Sequence, residues 1–175
     1  MLGGKGRSLV LMGAFLLTGG FGFKNWYLVI TGLFFLFSTF ISQPAFQSSM
    51  NIEELKVTRE LDNTRVFQDD FLHVKVIIEN TGGNRFDFLD IFDEFPTEAF
   101  RLVAGENFIS TRIDPHKTIK FSYIIAPVAR GEFNIGPIDL YIRDRLQFNT
   151  EHRIIPGSIT ELVIYPPYGD IKRLE

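Results

Sequence analysis

Residues 71–79 read FLHVKVIIE, and their alternation decides the fold of most of the chain. In an extended segment Leu72, Val74 and Val76 point one way, while His73, Lys75 and Ile77 point the other. The stretch Asn80-Thr81-Gly82-Gly83-Asn84 then reads as a turn. Beyond it, Phe86 to Asp93 alternates apolar with acidic residues, as a strand with one wet face does, and Pro96 ends it. Upstream, Leu55, Val57 and Leu61 belong to a first strand.

Further out the pattern repeats. Residues 100–103 and 108–113 are short candidate strands, and Asp114-Pro115-His116 is a turn. Ile119, Phe121, Tyr123 and Ile125 form one face of a strand over 118–126. Arg130-Gly131 opens a hairpin arm that Gly136-Pro137 breaks, and Ile138, Leu140 and Ile142 alternate after it. Segments 146–149 and 160–165 complete the series. About nine short strands with frequent turn signals are the signature of a sandwich. The expected class is all-β, an immunoglobulin- or fibronectin-like β-sandwich, with a jelly roll or small barrel as the alternative. The chain has no cysteine, so the disulfide of antibody domains is excluded.

The first quarter is different. Between Ser8 and Ile52 the only charged residue is Lys24. Two apolar runs, residues 8–23 and 25–41, flank it. Sixteen helical residues reach about 24 Å, slightly short of a ~30 Å hydrocarbon core. Lys5, Arg7 and Lys24 can snorkel to cover the deficit, and Trp26 and Tyr27 suit a membrane interface. The expectation is a two-helix transmembrane hairpin over 1–43, a linker over 44–52 that Pro44 begins, a sandwich over 53–170 and a tail over 171–175. A buried helix pair would need polar faces, which these runs lack. A cleaved signal peptide lacks its A-x-A-like site and leaves the second run unexplained. Lys5, Arg7 and the α-amino group outnumber Lys24, so the N-terminus is expected in the cytoplasm. A hairpin returns the sandwich to the same side, making a multi-pass cell-membrane protein with a cytoplasmic domain. Gly13, Gly20 and Gly32 either let the spans pack closely or are ordinary membrane-helix glycines.

The 175 residues are 45% apolar with a net charge of −3, which excludes a disordered chain and a strongly basic nucleic-acid binder. Without cysteine there is no thiolate metal site and no cysteine nucleophile. His73, His116 and His152 are too scattered for a metal pair and are expected to be solvated or capped. Asp87, Asp90, Asp93 and Glu94 invite a calcium or carboxylate-pair reading. Strict alternation puts Asp87 and Asp93 on one face and Asp90 on the other, so a solvated edge is expected instead. No nucleophile elbow, dinucleotide fingerprint or P-loop occurs. The expectation is therefore no enzyme, no cofactor, no metal, no nucleic acid and no small-molecule substrate.

The stretch ARGEFNIGPIDL at 129–140, followed by Arg143-Asp144 and by VIYP at 163–166, resembles the N-terminal half of the DUF58 family of membrane proteins. Arg130, Gly131, Gly136 and Pro137 match its R-R-G…G-P hairpin, while Ala129 replaces the first arginine. Asp144-Arg145-Leu146-Gln147-Phe148 stands where the family has D-P-l-G-l-f. The von Willebrand A-like part and its E-F-x-x-l-R-x-Y-x-x-G-D signature are absent from these residues. Glycines at 131 and 136 suit turns, Pro137 fixes φ, and Arg130 either pairs with Asp144 or binds a partner. The resemblance implies two membrane helices, a sandwich, and a MoxR-type AAA+ ATPase as partner in assembling or maturing other proteins. The function expected is a membrane-anchored, non-catalytic scaffold or docking module, in contact with the lipid bilayer and other membrane proteins. The alternative is an outward-facing immunoglobulin-like envelope or adhesion protein.

Overall fold

The computed structural model describes residues 2–49, 51–68 and 70–167. The tail expected at 171–175 and the last residues of the expected sandwich, 168–170, lie outside them.

Two helices come first, α1 (Gly4–Gly22) and α2 (Trp26–Ser49). They reverse at Lys24, whose φ of 51° is left-handed, and the Asn25 carboxamide accepts the Tyr27 N–H at 3.0 Å to cap α2. The helices pack lengthwise because glycines remove side chains at the contact. A Cβ on Gly32 would lie 2.8 Å from the Gly13 carbonyl oxygen, and one on Gly20 would lie 2.7 Å from Val29. Among the described residues one stretch, Trp26–Pro44, is long and apolar enough to cross a membrane. At α1, Lys5, Arg7 and a string of glycines lower the hydropathy.

Pro44, expected to stop the second run, sits inside α2. An interior proline removes a helical hydrogen bond at a cost of about 3 kcal/mol. Contacts on both sides offset it: Ser42 accepts from the Asn149 amide at 3.1 Å, and Phe46, only 5% exposed, enters the core of the β domain.

Eleven strands follow: β1 (Leu55–Leu61), β2 (Arg65–Phe67), β3 (Leu72–Asn80), β4 (Phe86–Asp93), β5 (Phe100–Gly105), β6 (Phe108–Ile113), β7 (Thr118–Pro127), β8 (Gly131–Ile135), β9 (Ile138–Arg143), β10 (Thr150–Ile154) and β11 (Thr160–Tyr165). Two four-stranded sheets, ordered β1-β3-β7-β5 and β10-β9-β4-β6, enclose one apolar core as a β-sandwich. A third sheet, β2-β11-β8, adds the only parallel pair of strands among those described, β11 with β2. The strand at 71–79 sits centrally in its sheet, and Leu72, Val74, Val76 and Ile78 are all buried. Asn80 ends it: its side-chain oxygen accepts the Gly82 N–H at 3.1 Å and its amide donates to the Asn84 carbonyl at 2.7 Å.

Two further expectations change, and one strand is additional. The strand expected at 146–149 is a turn; Gln147 is left-handed at φ 58°, Leu146 is 60% exposed, and the strand begins at Thr150. The three-residue β2 carries too little pattern to be read. The acidic run is neither an edge nor evenly solvated. A bulge between Phe86 and Leu89 puts both inward, which strict alternation forbids, and β4 lies between β9 and β6. Asp93 thereby turns into the core, Asp90 faces outward, and Asp87 pairs with exposed Arg85.

Candidate functional site

The outward side of the β10-β9-β4-β6 sheet is built by period-two alternation once its inward set, Leu89, Ile91, Leu140 and Ile142, is committed to the core. The register places Asp90 opposite Tyr141, Phe92 opposite Asp139 and Phe88 opposite Arg143 on the β4–β9 pair. His152 then lies opposite Tyr141 on β10, and Phe108 opposite Phe92 on β6. Phe92 and Phe108 stack with ring centroids 4.4 Å apart, and the Tyr141 ring meets Phe92 edge-on at 5.8 Å. Tyr141 also stacks on His152 at 4.4 Å.

Charges lock this aromatic surface. Arg143 donates to Asp90 at 2.5 Å, the Ser110 hydroxyl donates to the same carboxylate, and the guanidinium lies over the Phe88 ring. Nε2 of His152 lies 2.8 Å from Oδ1 of Asp139. The result is a shallow, pre-ordered face on which Asp90, Phe92, Asp139, Tyr141 and Arg143 line a hollow of about 490 Å³.

That face abuts the helices. The Gly3 N–H donates to the Phe148 carbonyl at 2.7 Å, Leu2 bridges to Asn149, and Lys5 donates to Gln147 at 2.9 Å. The start of α1, the end of α2 and the turn at 144–149 therefore form one junction. Arg7 shares a cleft there with Tyr141 and His152. Lys5 and Arg7 stand at this end of the helix pair; Lys24, Trp26 and Tyr27 stand at the other, and both aromatic side chains are exposed.

The hairpin residues take other roles. Gly131 and Gly136 have φ of 135° and 107°, and a Cβ on Gly136 would lie 2.6 Å from the Ser158 carbonyl oxygen. The Gly136–Pro137 bond is cis. Arg130 does not pair with Asp144; it is exposed, and Asp144 instead accepts the Asn149 N–H at 3.1 Å, closing the turn. Of the histidines, His73 is exposed, His116 occupies a left-handed turn position, and His152 belongs to the aromatic face. Among the described residues no three His, Asp or Glu side chains gather at a metal-sized site.

One feature escaped sequence reading altogether. Arg59 on β1 spans the sandwich, with 3% of its side chain exposed, to meet Asp93, whose side chain is fully buried. Its guanidinium binds both Asp93 oxygens and donates to the carbonyls of Ile135 and Ser158 and to Thr160. Burial pushes the Asp93 carboxyl up from the usual range, and Arg59 opposes it first by hydrogen bonding and then by charge. Burial, then the neighbouring Asp93 charge, also pushes the Tyr123 phenol up. The signal was available: Arg59 shares the inward parity of Leu55 and Val57.

The sequence model of translocon-associated protein beta (TRAPB) matches residues 38–153, from within α2 to β10. The chain belongs to the translocon-associated protein beta family. The TRAPB match therefore includes the whole aromatic face and, of the junction, the end of α2 and the turn at 144–149, while the start of α1 lies outside it. Comparison with curated proteins finds no match. Among solved structures, the cupredoxin domain of amoB from Nitrosocaldus yellowstonii is similar at 11% identity and TM-score 0.43, covering 64% of this chain and 87% of that one. A cohesin module from a Clostridium perfringens family 33 glycoside hydrolase is similar at 13% identity and TM-score 0.43, covering 65% and 98%. A CARDB domain from Pyrococcus furiosus is similar at 9% identity and TM-score 0.40, covering 63% and 87%.

Proposed function

We propose that this chain is a membrane-anchored, non-catalytic docking module that presents the outer face of β10, β9, β4 and β6 to another membrane protein. The observation that carries the reading is the continuity of that face with the helix pair, through the cleft that Arg7 shares with Tyr141 and His152. A partner seated on Phe92, Tyr141 and Arg143 meets the anchor as well as the sandwich. Tyr and Arg held in fixed geometry are the residues that dominate interface energetics. Membership in a translocon-associated family supports a partner that is itself in the membrane.

The finer reading is a hairpin that crosses twice and holds an immunoglobulin- or fibronectin-like sandwich on the cytoplasmic side. It is supported by Lys5 and Arg7 at the sandwich end of the helices against Lys24 alone at the far turn. The DUF58-like hairpin extends the proposal to a MoxR-type ATPase, with exposed Arg130 as the contact. A photoreactive phenylalanine at Phe92 tests the face in native membranes. The expected crosslink is to a protein that resists carbonate extraction; a MoxR-type ATPase would be a carbonate-released species lost in Arg130→Ala. Equal crosslinking from a probe at His73, exposed on the other sheet, or no protein crosslink from Phe92, refutes the docking face.

A further inference from the structure

Two hollows meet where the helices join the sandwich. The first is an apolar groove of about 430 Å³ between α1 and α2, lined by Leu2, Val10, Leu36, Phe37 and Phe40. The second is a polar cleft of about 670 Å³ between the start of α1 and strands β9 and β10, lined by Leu2, Gly3, Arg7, Thr150, His152 and Arg153. Leu2 belongs to both. Arg7 and Val10 are three residues apart on α1, so they share a helix face and link the hollows a second time. An apolar slot that opens into a polar cleft has the shape of a site for an amphiphile.

The charges specify its head. Arg7 and Arg153 line the cleft with Glu151, while Asp139 engages His152. Glu151 accepts from Arg153 at 3.1 Å. No ion pair among the described residues holds Arg7, and the neighbouring Lys5 is bonded only to the neutral Gln147 amide. Arg7, Arg153 and Lys5 against Glu151 and Asp139, with histidine counted as neutral, leave one net positive charge, which complements a single phosphodiester. A zwitterionic head brings its own cation to the same cleft and loses that advantage. Free phosphate is disfavoured because it leaves the apolar slot unfilled.

Resting on the membrane-anchored reading above, we infer that this composite site holds one anionic phospholipid. Its phosphodiester lies between Arg7 and Arg153, and one acyl chain lies in the α1–α2 groove. Because Arg7 belongs to the anchor and Arg153 to the sandwich, the lipid fixes the tilt of one against the other.

The test uses the full chain in nonionic detergent with equal dioleoyl phosphatidylglycerol and dioleoyl phosphatidylcholine, its lipid adducts counted by native mass spectrometry. The expected result is a single phosphatidylglycerol adduct exceeding phosphatidylcholine about tenfold, a ratio equivalent to about 1.4 kcal/mol. Arg7→Gln with Arg153→Gln brings the ratio near one, and Lys24→Gln at the far turn leaves it unchanged. Glycerol phosphate alone is not retained. Equal adducts on the unaltered chain overturn the inference without any variant having to fold. So does retention of glycerol phosphate, or loss of preference in Lys24→Gln but not in the double variant. Flotation with vesicles separates the two readings. A chain that fails to float sinks the membrane anchor; one that floats but takes both lipids equally sinks only the lipid site.

Discussion

Replacing Arg59 by Met removes the cation of a fully buried ion pair and is expected to cost about 3–5 kcal/mol. The magnitude follows from what is left behind. Asp93 remains in the core without its partner, and the carbonyls of Ile135 and Ser158 lose a donor. Each lost bond is worth about 0.5–1.5 kcal/mol net, and the stranded carboxylate supplies the rest. In a chain of this size about 3 °C accompanies each kcal/mol, so the transition should fall by about 10 °C. Thermal unfolding of the full chain in nonionic detergent, read by near-ultraviolet circular dichroism, measures it. Tyr123 is a suitable reporter because it is buried and stacks on Phe95 at 6.0 Å.

The pH dependence sharpens the test. Burial already raises the Asp93 carboxyl, and Arg59 is what restrains the rise. Without Arg59 the folded-state pKa climbs further above the unfolded value. A group raised in this way binds its proton more tightly when folded, so its contribution is present at low pH and lost as pH rises through the folded pKa. The deficit of Arg59→Met should therefore shrink on acidification from about pH 7.5 to about pH 5. Arg59→Met with Asp93→Leu should recover the charge part and keep only about 1–3 kcal/mol for the unbonded carbonyls. A single variant within about 1 kcal/mol of the parent, or a deficit that does not shrink with acid, refutes the reasoning.

The helix contact gives a paired prediction. Gly32→Ala should destabilise by about 1–3 kcal/mol, because its Cβ would meet backbone at 2.8 Å, whereas Gly19→Ala, with open space, should be neutral or stabilising by up to about 1 kcal/mol; thermal unfolding in detergent separates them. Phe46→Ala should cost about 3–5 kcal/mol by emptying its place in the β core, read from the same transition. Since the chain has no cysteine, Thr97→Cys and Asn25→Cys can be labelled singly; an impermeant reagent should reach only Asn25→Cys in intact cells, and labelling of Thr97→Cys would place the sandwich outside.

The strands with clean alternation were legible because burial on one face leaves a period of two. Residues 71–79 and 138–143 show it, and their inward residues are those of the core. Where geometry departed from strict alternation the reading failed. A bulge at 86–89 breaks the alternation that leads to Asp93, and Arg59 is a charged residue at an inward position of β1. Arg59 and Asp93 each sit in step with buried apolar neighbours, and together they could have been read as an inward pair. The aromatic face was hidden for another reason: Phe92, Tyr141 and His152 come from three strands, and only the register brings them together.

The misread segment at 146–149 is also the one that unites the two halves. As a turn closed by Asp144 on Asn149, it offers the Phe148 carbonyl to Gly3 and the Asn149 amide to Ser42. The fit demands small residues opposite it, since a Cβ on Gly6 would lie 2.5 Å from the Phe148 oxygen. The same turn therefore binds both helices near their sandwich ends. Pro44 would favour a break at this point if local propensity acted alone. Tertiary contacts on either side of it, Ser42 with Asn149 and Phe46 in the β core, keep α2 helical past the proline.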